Sequence, residues 1–300
     1  ERGQFSHGSD VTPGHEAAGV VVAAGLGTQT PIGARGVIFL MDFCGECRSC
    51  RHGFTNQCLQ KRGDMGFTHD GGYGQYELVH ENIFFPVGDD LPFGEATLLL
   101  DIMGTGGHAI NRARLVHPDI QSVLIAGAGP IGLGVLAMAK LLLGADVPVV
   151  LTDVVPYRLA LAERLGGLPA APEQGVKRHG LENVDIAVDT SGRQAARRQA
   201  LDALAPRGAL VLVGHGEGLE LNASADMIAP ERAVLGSEYF AYRELADNLK
   251  LFRANRAYLG QIITHRFGVG DIQQAFETFF GGQTGKVIIE QWAANKRKSP

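Results

Sequence analysis

The sequence has little of what would direct it to nucleic acid, to a membrane or to an extracellular location. Its 27 Lys and Arg residues are outnumbered by 32 Asp and Glu residues, so the net charge is -5 and no overall basic field attracts nucleic acid. No apolar run approaches the roughly 20 residues that a membrane helix needs. The opening ERGQFSHGSD lacks the apolar centre of a secretory signal. We therefore expect a cytoplasmic globular protein, with 300 residues in one large or two ordinary domains.

Cysteine is absent outside one short stretch, CGECRSCRHGFTNQC. Two disulfides or one metal ion would explain such a cluster, but nothing else in the chain points to the oxidising compartment in which disulfides persist. A redox Cys-x-x-Cys pair would explain only two of the four. Structural Zn²⁺ prefers four thiolates in a tetrahedron, and Gly45 and Gly53 allow the backbone to curl around an ion. We predict a structural zinc site made of Cys44, Cys47, Cys50 and Cys58.

A glycine-rich turn between two apolar segments indicates a nucleotide site. Val123–Ala126 reads as a buried strand, GAGPIG follows, and an apolar stretch of helical length leads to a second strand, VPVVLTD. Such a turn lets the backbone and a helix N-terminus approach a pyrophosphate. The residues predicted to contact the cofactor are Gly127, Gly129, Pro130, Ile131 and Gly132.

Asp153 predicts which dinucleotide binds. It lies about 20 residues after Gly132, where an acid accepts hydrogen bonds from the adenosine ribose. A carboxylate there repels a 2'-phosphate, so we expect NAD rather than NADP. Arg158 is a second candidate for cofactor contact, because it could reach a phosphate. The simpler interpretation is a solvated arginine on the next helix.

The central region continues to alternate strands and helices. VDIAVDTSG, ALVLVGHG and a segment near Val234 read as strands, and a helix is expected from Gln194 to Leu204. This alternation predicts a parallel sheet with helices on both faces and ligands beyond the strand carboxyl ends. Three glycines at those ends either line the cofactor cleft or are plain turn glycines: Gly192, Gly214 and Gly216. A strand near Leu210–Val213 is expected at the sheet edge, where it could pair across subunits.

The flanking regions differ from this centre. Segments such as GVVVAAGLGT, GARGVIFL and GGYGQYELVH are short, alternating and broken by glycine, which predicts a β-rich N-terminal domain. Ala96–Arg114 shifts to helical spacing. A helix is expected to follow Gly268–Asp271 and end near Phe280. The polar tail WAANKRKSP is expected to be frayed or exposed.

PGHEAAG places His15 beside Glu16, but by itself this pair is no more than a polar turn. Four motifs in order nevertheless resemble the zinc-dependent medium-chain dehydrogenases, the superfamily of alcohol and polyol dehydrogenases. They are GHEAAG, the four-cysteine lobe, GGYGQY, and GAGPIG followed by Asp153. The resemblance implies an α/β fold: a doubly wound parallel Rossmann sheet at 99–261, and a GroES-like catalytic domain made of 1–98 and 262–300.

The resemblance also implies a catalytic zinc in the cleft between the domains. His15 matches its histidine ligand, Asp101 takes the position of the third ligand, and Glu16 matches a residue that joins or leaves the metal in some members. Asp101 could instead be a helix N-cap or a surface acid. No residue matches the first ligand, a cysteine ahead of GHE. The similar segment His7–Asp10 lies too close to His15, so we interpret it as a loop. We expect that roughly forty family residues precede Glu1, and that others are missing at Gly167–Asn183.

The implied function is an NAD-dependent alcohol dehydrogenase, in which zinc polarises an alcohol oxygen while hydride passes to the nicotinamide. A secondary alcohol or polyol is the expected substrate, and a homodimer or homotetramer the expected assembly. One alternative is a zinc-free quinone or enoyl reductase that uses NADPH. It would lack the cysteine lobe. Another is a non-catalytic NAD-binding redox sensor in which the lobe is the switch. Retained His15 and Asp101 argue against that second alternative.

Overall fold

A computed structural model describes residues 10–291 of the chain. Its strands are β1 Ala18–Val20, β2 Arg35–Ile38, β3 Met41–Asp42, β4 Gly63–Asp64, β5 Phe84–Pro86, β6 Val123–Ala126, β7 Val149–Thr152, β8 Leu168–Ala170, β9 Val184–Asp189, β10 Leu204–Leu212, β11 Ala233–Gly236, β12 Ile263–Gly268 and β13 Lys286–Glu290. Its α-helices are α1 Arg48–Arg51, α2 Phe93–Ala96, α3 Gly106–Arg114, α4 Pro130–Leu143, α5 Pro156–Arg164, α6 Gln194–Asp202, α7 Glu244–Ala254, α8 Arg256–Leu259 and α9 Ile272–Phe280. Asp101–Thr105 and Ala223–Ile228 are π-helical.

A parallel sheet of six strands forms the centre, in the order β11-β10-β9-β6-β7-β8. Its middle strands are continuous apolar runs because helices cover both faces of the sheet. The order reverses beside β6, so the carboxyl ends of β6 and β9 border the crevice in which such sheets bind ligands. The predicted Rossmann-type α/β fold and the predicted strand Val123–Ala126 are confirmed.

The expectation that Leu210–Val213 forms an edge strand is wrong. β10 lies between β9 and β11, and Leu210 is opposite both Ala187 and Val234. The short β11 is the outer strand, so β10 is paired on both sides. The helix predicted to reach Leu204 ends at Asp202, because Leu204 already pairs with Val184 as the first residue of β10.

The N-terminal part forms small sheets of its own, as its glycine-broken pattern predicted. β1, β2 and β5 form an antiparallel sheet, β3 pairs with β4, and β12 pairs with β13 in parallel. The helical spacing of Ala96–Arg114 is interrupted: a 3₁₀ turn follows α2, a π-helix begins at Asp101, and α3 begins only at Gly106. This irregular segment carries one of the predicted metal ligands.

One buried cluster joins the two parts of the chain. It contains Val37 and Phe39 from the N-terminal part, Ile102 from the connecting segment, and Ile125 and Val188 from the central sheet. Within residues 10–291, none of the helices combines the length and apolar character needed to cross a membrane. Most of the His7–Asp10 segment and the WAANKRKSP tail lie outside the described residues.

Candidate active site

The four cysteines converge in a lobe built around α1. The backbone has positive φ at Gly45 and at Gly53, 83° in each case, as the turn around an ion requires. Backbone N–H groups point at the sulfurs: the amide of Cys47 donates to Cys44 Sγ at 3.3 Å, and the amide of Leu59 donates to Cys47 Sγ at 3.4 Å. The lobe is therefore shaped to stabilise thiolates.

The sulfur–sulfur distances fit a tetrahedral zinc site. They are 3.5 Å between Cys58 and Cys44, 3.9 Å between Cys47 and Cys58, and 4.0 Å between Cys44 and Cys50. A tetrahedron with Zn–S bonds of about 2.3 Å has edges of about 3.8 Å. A disulfide would need about 2.05 Å, and all four cysteines are free. The donor set matches the structural zinc that the spacing predicted.

Within the lobe the thiols differ in acidity. Backbone N–H groups at Cys50 and Leu59 lower the pKa of the Cys47 thiol to about 6. Burial raises the pKa of Cys50 to about 12. A metal ion that binds here must therefore displace a proton from Cys50, whereas Cys47 is already largely thiolate at neutral pH.

A second cluster brings together three residues predicted as ligands of a catalytic metal. One ligand atom from each of His15, Glu16 and Asp101 lies within 4.8 Å of the others. His15 Nε2 lies 2.9 Å from Asp101 Oδ2 although the residues are 86 positions apart. The Thr105 hydroxyl donates to the other Asp101 oxygen at 3.1 Å. Asp101 is the first residue of a π-helix, and its side chain faces His15. The alternatives that Asp101 is a surface acid or only a helix N-cap are therefore wrong.

The charges of His15 and Asp101 shift each other's pKa values and favour the ionised form of both side chains. Burial alone would lower the pKa of His15, but the charge of Asp101 and its hydrogen bond raise it from 6.5 to about 9. Burial likewise opposes ionisation of Asp101, yet His15 holds the pKa of that carboxyl below its usual value. A divalent cation would replace the His15 proton between the same atoms, because imidazole and carboxylate are both zinc ligands.

Lys286 is a site residue that the sequence analysis missed. Its ammonium contacts Glu16 Oε2, and only 11% of its side chain is exposed. Burial raises the pKa of Glu16, while the charge of Lys286 opposes that rise. The other Glu16 oxygen, Oε1, is buried without a hydrogen-bond partner in the described part of the chain. Glu16 thus has one paired oxygen and one oxygen left for a ligand. The GKVIIE sequence around Lys286 gave no signal, since it reads as the start of an ordinary strand.

A cavity of about 1460 Å³ opens beside this cluster, and His15, Glu16, Phe67 and Lys286 are part of its lining. This volume is larger than the about 300–1,000 Å³ that small-molecule sites usually enclose, so a small substrate fits. The Phe67 ring lies 5.1 Å from the imidazole of His15 and limits its rotation. The cluster is therefore reachable by a small substrate from this side.

The glycine-rich turn has the shape that the motif predicted. Gly127 has a φ of 102°, and a Cβ on Gly132 would lie 1.9 Å from the carbonyl oxygen of Gly127. Helix α4 starts at Pro130 immediately after the turn. No other residue type allows the turn and the helix to approach so closely, so a pyrophosphate can reach the free N–H groups of the helix.

Asp153 lies against this turn. Its carboxylate accepts hydrogen bonds from the Ala128 amide at 2.7 Å and from the Val155 amide at 2.8 Å. Arg158 approaches it to 4.0 Å and is mostly buried, which does not fit the solvated arginine of the simpler interpretation. Arg158 Nη1 also lies 4.0 Å from the position of a Cβ on Gly129. The acid and the arginine thus flank the same turn.

The turns after β9 and β10 lie against each other beside the Gly127 turn. A Cβ on Gly192 would lie 2.0 Å from the His215 carbonyl oxygen, and one on Gly214 would lie 2.5 Å from the Gly192 nitrogen. Gly216 has a φ of 148° and also packs on Gly192. These glycines are therefore required by close backbone packing, which a plain turn does not explain.

A buried ion pair fixes the same turns, and the sequence analysis missed it. Arg197 Nε donates to Asp189 Oδ2 at 2.8 Å, and Asp189 Oδ1 accepts from the Ser191 and Gly192 amides. Arg197 also donates to the Gly214 carbonyl oxygen. In VDIAVDTSG the second aspartate, Asp189, stands at the end of the predicted strand, which is a sequence signal for a residue that fixes the following turn. Nothing in the sequence singles out Arg197.

Family models match most of the chain. Residues 2–89 match the alcohol dehydrogenase GroES-like domain, and residues 130–254 match the zinc-binding dehydrogenase family. The chain is 31% identical over 294 residues to the zinc-type alcohol dehydrogenase-like protein YphC of Escherichia coli, covering 92% of this chain and 80% of that protein.

Two further similarities extend over nearly the whole chain. L-threonine 3-dehydrogenase of Chromobacterium violaceum is 32% identical over 290 residues, covering 92% of this chain and 82% of that one. Among solved structures, 2R,3R-butanediol dehydrogenase of Bacillus subtilis superposes with a TM-score of 0.80 at 24% identity, covering 95% of this chain and 82% of that one. The structural similarity speaks for the fold alone.

Proposed function

Because the chain belongs to the zinc-dependent medium-chain dehydrogenase/reductase superfamily, we propose that it is an NAD(H)-dependent alcohol dehydrogenase acting on a secondary alcohol or a polyol. The observation that carries the proposal is the convergence of His15, Glu16 and Asp101 within 4.8 Å beside an open cavity. The relative named L-threonine 3-dehydrogenase supports a small hydroxylated substrate.

The residues of the site divide into two groups. His15 and Asp101 would hold a zinc ion, with Glu16 able to join it, and Cys44, Cys47, Cys50 and Cys58 would hold a second, structural one. A zinc ion held at the first position would supply Lewis acidity to an alcohol oxygen. Thr105 keeps the Asp101 carboxylate turned towards His15, and Lys286 compensates the charge of Glu16.

The nucleotide site supports NAD as the hydride acceptor. Asp153 lies beside the turn that would hold the pyrophosphate, because its Oδ2 accepts from the Ala128 amide, and its negative charge disfavours a 2'-phosphate. Arg158 is the counterargument, because it lies near enough to Asp153 to accommodate such a phosphate. We assign Gly127, Gly129, Pro130, Ile131, Gly132 and Gly214 to the dinucleotide site.

The two sites share one scaffold. Gly134 of α4 touches the carbonyl of Ile102, since a Cβ there would lie 2.4 Å from that oxygen. The π-helix that begins with Asp101 is thus packed on the helix that would receive the pyrophosphate. We propose that residues 99–261 form the cofactor domain and that 1–98 with 262–300 form the catalytic domain. We also propose that the protein is cytoplasmic and forms a homodimer or a homotetramer.

The decisive experiment measures zinc per chain by elemental mass spectrometry, together with NAD and NADP reduction over a panel of alcohols. We expect two zinc ions per chain and a kcat/KM for NAD at least tenfold above that for NADP. Asp101→Asn should remove one zinc ion and lower kcat/KM at least tenfold. Glu244→Gln is the matched control, because Glu244 pairs with His108 at 2.8 Å outside both metal sites.

Other outcomes would reject the proposal. One zinc ion, confined to the cysteines, with no turnover of any alcohol would favour the NAD-binding redox sensor. Turnover of quinones with NADPH in zinc-free protein would favour the reductase. Equal kcat/KM for NAD and NADP would refute only the role given to Asp153.

A further inference from the structure

The cysteine lobe is closed at its base by the pairing of β3 with β4. The chain enters the lobe through Met41–Asp42 and leaves it through Gly63–Asp64, and these two strands are antiparallel. The amide of Arg62 donates to the carbonyl oxygen of Asp42 at 2.9 Å, so the pairing continues one step towards the lobe. Arg62 therefore lies across from the residues that precede the first cysteine.

The peptide unit between Phe43 and Cys44 connects this base to the cysteines. Its carbonyl oxygen, which belongs to Phe43, accepts hydrogen bonds from Arg62 Nη2 at 2.9 Å and from the side-chain amide of Asn82. Its N–H group, which belongs to Cys44, donates to Cys58 Sγ at 3.3 Å. A chain of hydrogen bonds thus runs from two side chains, through one peptide unit, to a sulfur of the candidate zinc site.

The two side chains are themselves held in place. Arg62 Nη2 also donates to Asp42 Oδ1 at 2.5 Å and to Asn82 Oδ1 at 3.2 Å. Asp42 is only 4% exposed, whereas 37% of the Arg62 side chain is exposed. The pKa of Arg62 is raised, first by its hydrogen bond to Asp42 and then by the charges of Asp42, Cys44 and Cys58. The guanidinium is therefore anchored at the base of the lobe, on the side of Cys44 and Cys58.

This arrangement suits the charge of a zinc site made of thiolates. Four thiolates carry more negative charge than one Zn²⁺ ion neutralises, so N–H groups that point at the sulfurs and a nearby cation stabilise the loaded site. A peptide whose carbonyl accepts hydrogen bonds is a stronger N–H donor, because hydrogen bonds in a chain polarise one another. Water screens the partly exposed guanidinium, so the larger effect should pass through the peptide unit.

We propose that Arg62 and Asn82 are positioning residues of the structural zinc site, which hold the Phe43–Cys44 peptide so that its N–H group bonds the thiolate of Cys58. This inference rests on the proposed function, because that function places a zinc ion in the lobe. It gives a role in metal retention to two side chains that are not ligands. Losing a group that supports a metal ligand typically lowers metal affinity about 10–100-fold.

The test removes each donor to the Phe43 carbonyl without leaving a buried charge unpaired. Asn82→Ala removes one donor and keeps the ion pair between Arg62 and Asp42. Arg62→Met alone would leave the buried Asp42 unpaired, so it is made together with Asp42→Asn. Asp42→Asn by itself is the parent of that double variant, because its amide oxygen can still accept a hydrogen bond from Arg62.

Arg253→Met is the matched control. Arg253 Nη2 donates to the Val87 carbonyl oxygen and to Asp90 Oδ1, at 2.9 Å in each case. Arg253 thus has the same kinds of acceptor as Arg62, one backbone carbonyl and one aspartate, but it lies on α7 and outside the cysteine lobe.

The readout is the thiolate-to-cobalt charge-transfer absorption of protein loaded with cobalt(II). The candidate catalytic cluster cannot give this band, because His15, Glu16 and Asp101 offer no sulfur. The decay of the band in excess EDTA therefore measures the release of metal from the cysteine lobe. The thermal midpoint of each variant is measured with and without metal.

We expect Asn82→Ala to release cobalt about tenfold faster than wild type, and the double variant to release it about tenfold faster than Asp42→Asn. Asp42→Asn and Arg253→Met should release cobalt as slowly as wild type. In Asn82→Ala and the double variant the thermal midpoint should fall more with metal than without it, because only the loaded lobe holds the charge that the peptide N–H stabilises.

Three results would overturn the inference. One is unchanged cobalt release in both Asn82→Ala and the double variant. Another is an equal fall of their thermal midpoints with and without metal, since Arg62 and Asn82 would then support only the fold. The third is equally fast release in Arg253→Met. A wild-type protein that lacks the band would refute the zinc lobe and the inference together, whereas one that has the band but oxidises no alcohol would refute only the proposed activity.

Discussion

Replacing either of two glycines on helix α4 by alanine should impair a different site: one the dinucleotide site, the other the catalytic metal site. A Cβ on Gly132 would lie 1.9 Å from the Gly127 carbonyl oxygen, in the turn assigned to the pyrophosphate. A Cβ on Gly134 would lie 2.4 Å from the Ile102 carbonyl oxygen, in the π-helix that positions Asp101. Both neighbours are backbone atoms, so a change of side-chain rotamer cannot relieve either contact.

The size of the effect follows from these distances. Real Cβ atoms essentially never approach a heavy atom closer than 3.0 Å, so Gly132→Ala must separate the turn from the helix by roughly 1 Å. Overpacking of this kind costs about 1–3 kcal/mol, offset in part by the better helix propensity of alanine, about 1 kcal/mol. A displacement of about 1 Å in the groups that position a substrate can lower the reaction rate about 100-fold. We expect Gly132→Ala to raise the NADH dissociation constant at least tenfold, about 1.4 kcal/mol.

Gly134→Ala should affect the other site. We expect it to lower the zinc content of the catalytic position and kcat, with NADH affinity changed by less than about threefold, because Asp101 moves while the turn stays in place. NADH fluorescence titration, elemental analysis and steady-state kinetics separate the two variants. Gly260→Ala is the control, since nothing lies within 4 Å of a Cβ there and its φ is -60°. Wild-type NADH affinity in Gly132→Ala would refute the reasoning.

Three further changes test the metal lobe, the turns and the charged cluster. Cys50→Ser should remove one zinc ion per chain and lower the thermal midpoint more than it lowers turnover; an equally stable, zinc-depleted variant would contradict this. Arg197→Met should cost about 3–5 kcal/mol in urea unfolding, because it leaves Asp189, which is fully buried, as an unpaired charge; a loss below about 1 kcal/mol would contradict it. In metal-free protein the pKa of His15 is raised from 6.5 to about 9, so its stabilisation is complete below pH 6.5 and is lost as the pH rises through about 9. Urea midpoints against pH should show this loss in the wild type and not in Asp101→Asn; parallel curves would refute it.

Local chemistry could be predicted from the sequence because the residues concerned are close together along the chain. The cysteine lobe occupies one loop, and the strand, turn, helix and strand around Gly127 form a single unit with one permitted handedness. Apolar runs bounded by glycines therefore predicted β6, β7 and β9 well. The lobe's sulfur positions and the close approach of Gly132 to Gly127 followed from residue type and spacing.

Strand order was not predictable in the same way. The pattern of β10 is equally apolar whether it is an edge strand or an interior one, so its position between β9 and β11 was missed. The break of Ala96–Arg114 at Asp101 was also missed, because a π-helix of five residues is too short to leave a periodic signal in the sequence. Both features depend on which elements pack against the segment.

By itself the sequence determined the family of motifs, the parallel sheet, the cysteine lobe and the acid after the glycine turn, since each is set by neighbours in the chain. Only the tertiary structure brought His15 to Asp101 across 86 positions and Lys286 to Glu16 across 270. It alone left one carboxylate oxygen of Glu16 buried and without a hydrogen-bond partner among residues 10–291. Burial and electrostatic pairing depend on the atoms that surround a group in space, and those atoms come from segments whose approach no local pattern encodes.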